Sequence, residues 1–148
     1  MLWLLRHAEA AEGRPDEARP LTSRGRGDAE AIGLALVRMG VQLDACLSSP
    51  KRRALETAHL ACAPQSVQPL EEPQLAHGGY DPERLALGLG ETLIVGHNPA
   101  ISTAVRELTG ARVQLPPGGL AGIERGLLAL LLTPAQMSVI AGAAGVTA

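Results

Sequence analysis

Leu2-Trp3-Leu4-Leu5 is an unbroken apolar run that ends in Arg6-His7. This feature constrains the fold more than any other. A short continuous apolar run suits a strand buried on both faces, as in parallel sheets. Glu91-Thr92-Leu93-Ile94-Val95-Gly96 is a second and clearer strand, and it ends in His97. Strands buried on both faces need helices on both sides of their sheet. In open α/β sheets, ligands bind outside the carboxyl ends of such strands. Arg6, His7 and His97 stand at those ends. Alone, an Arg-His pair there reads more readily as the first solvated turn after a strand. The rest of the chain has to decide.

Glu9 to Arg19 carries Gly13 and Pro15 and reads as a loop beside the first strand end. Thr22 is a plausible N-cap for a helix in which Ala29, Ile32, Ala35, Leu36 and Met39 recur at helical spacing. Gly40 fits its stop, while Gly25, Gly27 and Gly33 weaken it. Leu43 to Leu47 is a second strand. Ser49 as cap with Pro50 at the first helical position predicts a helix to about Cys62. Gln65 to Leu70 reads as a third strand, followed by a loop from Glu71 to Tyr80. Asp81-Pro82 starts a short helix ending near Gly88. Asn98-Pro99 opens another to about Thr109, closed by Gly110. Leu120 to Glu124 and Leu127 to Leu132 form a hairpin across Arg125-Gly126, and Thr133-Pro134 starts a last helix into an Ala/Gly tail. Strands alternating with helices give an α/β three-layer sandwich around a mainly parallel sheet.

A chain of 148 residues reads as one domain with room for a proper core. Its formal net charge of -2 argues against an electrostatic binder of nucleic acid or membrane. Lys51-Arg52-Arg53 is the densest basic group, too short for a nucleic-acid patch. Trp3 and Tyr80 are the only aromatics, which offers no base-stacking platform. Cys46 and Cys62 lack metal-ligand spacing and read as buried apolar residues in a reducing compartment. No signal peptide or membrane span is evident. The expected setting is the cytoplasm.

Three strand ends converge if the strands are neighbours. The first brings Arg6 and His7, the second is followed by a helix carrying Arg53 one turn in, and a later one brings His97. Two arginines and two histidines would then face one anion-sized spot. Phosphate is the natural guest, since it takes bidentate contacts from guanidinium. Helix N-termini aimed at the same edge also favour anions.

Four motifs, in order, carry a resemblance: Arg6-His7-Ala8-Glu9, Arg19-Pro20-Leu21-Thr22, Ser48-Ser49-Pro50-x-x-Arg53-Ala54-x-Glu56-Thr57 and Gly96-His97-Asn98-Pro99. Together they resemble the histidine phosphatase (phosphoglycerate-mutase-like) superfamily, and within it the short SixA-type phosphohistidine phosphatases. The resemblance implies a phosphoglycerate-mutase-like fold over residues 1–148, with His7 as a nucleophile that is itself phosphorylated. It also implies that Arg6, Arg53 and His97 hold the phosphoryl group, with Arg19 at the rim and Asn98 beside it. Neutral imidazole is a competent nucleophile, and fixed cations stabilise the spreading charge of phosphoryl transfer. No metal or other cofactor is expected.

Ala8 stands where the superfamily usually has Gly. A general acid is harder to place. Glu71, Glu72 and Asp81 lie in the right loop without a motif, and Glu72 is the candidate. Without an acid, alkoxide leaving groups should react slowly, whereas phosphohistidine depends on it less. The expected substrate is therefore phosphohistidine in a protein. The alternatives are a small phosphate ester handled by the same mechanism and a non-catalytic phosphate-binding module. No nucleic-acid or membrane partner is expected. His59 reads as surface or structural. His77 sits in the loop after the third strand, and Glu9 is either an orienting carboxylate or a solvated one.

Overall fold

The computed structural model describes residues 1–146, so the last two residues of the expected Ala/Gly tail lie outside it. Six strands form one sheet: β1 Leu2–Arg6, β2 Ala45–Ser48, β3 Leu70–Glu71, β4 Thr92–Gly96, β5 Leu120–Glu124 and β6 Leu127–Leu132. Their spatial order is β3-β2-β4-β1-β5-β6. The first four are mutually parallel, while β5 runs antiparallel to β1 and β6 antiparallel to β5. The helices are α1 Ser23–Arg38, α2 Arg52–Cys62, α3 Pro82–Leu85, α4 Ala100–Thr109 and α5 Pro134–Val146. The expected α/β architecture around a mainly parallel sheet is therefore present.

Side-chain alternation along the strands divides the core into two layers. Trp3, Leu5, Leu93 and Val95 pack with Ile32, Leu36, Ala58 and Met137 of α1, α2 and α5. Leu4 and Ile94 pack on the other face with Ile101 and Val105 of α4, beside Leu75 and Tyr80 from the loop after β3. Two-sided burial explains why β1 and β4 are apolar without alternation.

The glycines of α1 serve close packing. A Cβ at Gly25 would overlap the carbonyl oxygen of Glu9, and one at Gly33 would lie 2.9 Å from that of Ala61. Gly25→Ala gains about 1 kcal/mol of helix propensity but overpacks at about 1–3 kcal/mol. A net loss of stability is expected, read as a lower urea midpoint with an unchanged slope. An unchanged midpoint would mean that the Glu9 backbone moves aside freely. Thr22 caps α1 as expected, its side chain accepting from Gly25 N.

Three local expectations are corrected. The helix expected from Pro50 begins at Arg52, and its capping position, Lys51, has an extended backbone and no side-chain cap. The helix expected from Asn98-Pro99 begins at Ala100, and Asn98 does not cap it. In both places the Cap-Pro pattern marks the turn out of the strand: Ser49 Oγ accepts from Lys51 N at 3.2 Å, ahead of the helix, and the Asn98 amide bonds Leu115 O and Ser102 Oγ. The third strand is only Leu70–Glu71. Ser66 takes a left-handed φ of 56°, and Pro69 has no N–H to donate. The hairpin is present, with φ of 51° at Arg125 and 74° at Gly126, which is the handedness that two-residue hairpins favour.

Candidate active site

Register brings the histidines together. β4 lies between β1 and β2, with Arg6 opposite Gly96 and Ser48 opposite Val95. The ladder continues one residue further, as His7 N donates to Gly96 O at 3.0 Å and Ser49 N to Val95 O at 3.0 Å. His7, His97 and Ser49 thus leave the sheet side by side. The two imidazole centroids are 5.2 Å apart.

His7 is buried, and its Nδ1 lies 2.7 Å from the carbonyl oxygen of Ala8. A carbonyl only accepts, so Nδ1 carries the ring proton and Nε2 keeps its lone pair. Burial, with Arg53, Arg6 and Arg19 nearby, holds the His7 pKa down at about 4. His97 is lowered to about 3, first by burial and then by His7, Arg53 and Lys51. Both rings are neutral near pH 7. His97 Nε2 is 2.7 Å from Ser49 Oγ.

The cations come from separate elements. Arg6 Nη1 donates to Leu115 O at 3.0 Å, while its buried Nε makes no hydrogen bond within the protein. Arg53, in the first turn of α2, is buried and gives both terminal nitrogens to Asp16, Nη1 to the backbone oxygen at 2.9 Å and Nη2 to Oδ2 at 3.3 Å. Asp16 also takes Arg19 Nη1 at 3.0 Å and Lys51 Nζ at 3.2 Å. Hydrogen bonds from Arg19 and then Lys51 hold its carboxyl well below the usual carboxylate range. Arg19 is further tied by Nε to Ala11 O at 2.8 Å.

The remaining motif residues hold the frame. Thr57 Oγ1 accepts from Ala8 N at 3.0 Å and donates to Arg53 O at 2.7 Å, so it locks the turn after His7 to α2. Glu56 Oε1 accepts from Leu21 N at 3.0 Å. Glu9 Oε1 accepts from Thr22 Oγ1 at 2.9 Å. Asn98 Nδ2 donates to Leu115 O at 3.2 Å, and its Oδ1 accepts from Ser102 Oγ at 2.6 Å. Both ends of that amide pin the loop before β5 to α4. Glu72 follows β3 at the same edge, with its amide donating to Ser48 O at 2.8 Å and its carboxylate accepting from Gln74 Nε2 at 2.9 Å. His59 and His77 are exposed. Cys46 and Cys62 are free and buried.

Sequence reasoning missed Asp16, Lys51 and Ser49 as neighbours of this cluster. Ser49 was hidden by its resemblance to a helix cap. Asp16 lies in a segment without periodicity, so only its place among three cations reveals it.

The histidine pKa values set a pH dependence. The folded values lie below the unfolded value of about 6.5, so the unfolded chain binds more protons between about pH 6.5 and 4. This contribution to stability is complete above pH 6.5 and is lost as pH falls to about 4. Thermal midpoints should drop across that window in wild type and drop less in a His97→Gln variant. Equal slopes in the two proteins would contradict the burial of a neutral ring.

The family profile of the histidine phosphatase superfamily (branch 1) matches residues 2–80. An uncharacterized protein of Picosynechococcus sp. is 28% identical over 141 residues, covering 84% of this chain and 85% of that protein. The protein histidine phosphatase SixA, solved with tungstate, superposes with a TM-score of 0.79 at 21% identity, covering 90% of this chain and 97% of its own. A protein assigned as an α-ribazole-5′-phosphate phosphatase from Escherichia coli K-12 superposes with a TM-score of 0.70 at 20% identity, covering 91% and 98%. Likeness at such identity shows a shared fold. Among the described residues, no helix is long and apolar enough to cross a membrane. By its family profile and fold, the chain belongs to the histidine phosphatase superfamily, branch 1, and is a phosphatase.

Proposed function

We propose that this chain is a single-domain, metal-independent phosphatase that works through a phosphohistidine on His7 and removes phosphate from phosphohistidine in a protein. The observation that carries this reading is the 2.7 Å contact of His7 Nδ1 with Ala8 O in a ring held neutral. It leaves Nε2 unprotonated at neutral pH, at the end of β1 beside Arg6.

In the first step the Nε2 lone pair forms a bond to phosphorus as the bond to the substrate's imidazole nitrogen breaks. That nitrogen keeps the electron pair and takes a proton from solvent. In the second step water attacks the phosphorus and releases a proton to solvent, the bond to Nε2 breaks with its electron pair returning to the ring, and phosphate leaves. Arg6 and Arg53 stabilise the equatorial oxygens in both steps, and His97 orients them. An imidazole leaving group needs less help from an acid than an alkoxide does.

The reading is tested by comparing rates on a phosphohistidine peptide and on an alkyl phosphomonoester in the presence of a chelator. A large preference for the peptide is expected. Equal or reversed rates would favour the second reading, a small-ester phosphatase with Glu72 as its acid. That reading draws on the place of Glu72 at the carboxyl end of β3, next to Ser48, and on the likeness to the Escherichia coli protein. Loss of the peptide rate on adding chelator would overturn metal independence.

A further inference from the structure

The outer face of α4 carries a second cluster of chemistry. Pro99, Ser102, Thr103 and Arg106 are spaced i, i+3, i+4, i+7, so they share one helix face. The return segment Arg112-Val113-Gln114 runs alongside. Between them lies a cavity of about 340 Å³ that also reaches Asn98. No carboxylate lines it. Among the described residues, neither Arg106 nor Arg112 forms an ion pair with a carboxylate. Glu107, next to Arg106 in the chain, lines a different depression with Tyr80 and Asp81.

The cavity is rigidly linked to the catalytic cluster. Asn98 directly follows His97, and its Nδ2 shares the Leu115 carbonyl with Arg6 Nη1. Ser102 Oγ accepts from Leu115 N at 3.0 Å, which fixes the return segment against the helix. A group seated between the two arginines is therefore held at a set distance from the phosphoryl site. Pro99 follows His97 by two residues, and from Pro99 to Arg106 the helix rises about 10 Å, which sets the scale of the separation. Extended peptide covers that span in about three residues.

We propose that this cavity is an anion subsite, and that it binds the carboxylate of an acidic residue about three positions from the phosphorylated histidine of the substrate. The proposal rests on the phosphohistidine reading above and adds a sequence preference to it. An extended peptide can place a carboxylate at that scale of distance from its phosphoryl group.

The test uses two phosphohistidine peptides that differ only in Glu or Gln three residues from the phosphohistidine, placed on each side in turn. Wild type should favour the Glu peptide by about fivefold in kcat/KM on at least one side, mostly through KM. The preference should shrink as salt is raised. In Arg106→Ser/Arg112→Ser it should fall to about one. Equal rates on the Glu and Gln peptides in wild type would overturn the proposal, as would a preference that survives in the double variant. A bis-anionic small ester serves as a further arm. If the arginines favour it over a mono-anionic ester as strongly as they favour the acidic peptide, the ligand is not a peptide. If wild type turns over neither peptide, the phosphohistidine reading itself fails, and the subsite proposal goes with it.

Discussion

His7→Ala is expected to lower turnover by about four orders of magnitude or more, on every substrate the enzyme accepts. The proposed covalent route needs a lone pair at that position, and neither of its chain neighbours, Arg6 and Ala8, can supply one. The same substitution should remove the phosphoenzyme. In wild type, rapid quenching at alkaline pH should trap one phosphoryl group that acid then releases, as a phosphoramidate requires, and His7→Ala should trap none. The His7 side chain is buried, so the variant's melting curve must accompany the assay. A folded His7→Ala protein that retains the wild-type rate would end the proposed mechanism. So would a trapped phosphoryl group that persists without His7.

Arg53→Ala is expected to cost about two to three orders of magnitude in kcat/KM, because the proposed mechanism would lose a fixed donor to the developing charge. The structure adds a contrast with the opposite sign. In the protein, Arg53 is held by Asp16, whose carboxylate also takes Arg19 and Lys51. Under the proposed mechanism that carboxylate would compete with an incoming phosphoryl group for the same cations. Asp16→Asn should therefore bind tungstate or inorganic phosphate about fivefold more tightly, an exposed ion pair being worth about 1 kcal/mol. Calorimetric titration of the two proteins decides the matter. Weaker oxyanion binding in Asp16→Asn would show that Asp16 supports the arginine rather than competing for it.

Much of the frame was legible in the chain because burial on two faces writes itself as unbroken apolar runs. Leu2–Leu5 and Leu93–Val95 read as inner strands, and Arg6, His7 and His97 stand where they end. The third strand was overextended because a proline and a left-handed serine interrupt pairing without disturbing the apolar pattern around Val67. Ser49 and Asn98 misled for a related reason. A short polar residue before proline signals the end of a strand, but whether its side chain caps a helix depends on what stands opposite. Ser49 meets His97, and Asn98 meets Leu115 and Ser102.

The sequence by itself determined the class of fold, the order of its elements and the four side chains at its core edge, because periodicity, turn residues and motif order are all local properties. Only the tertiary structure decided that β4 lies between β1 and β2, which sets His7 against His97. It also decided that Asp16 sits among three cations, and that Arg106 and Arg112 line one cavity. Those are contacts between segments far apart in the chain. They arise from strand order and loop return, which no local pattern of residues encodes.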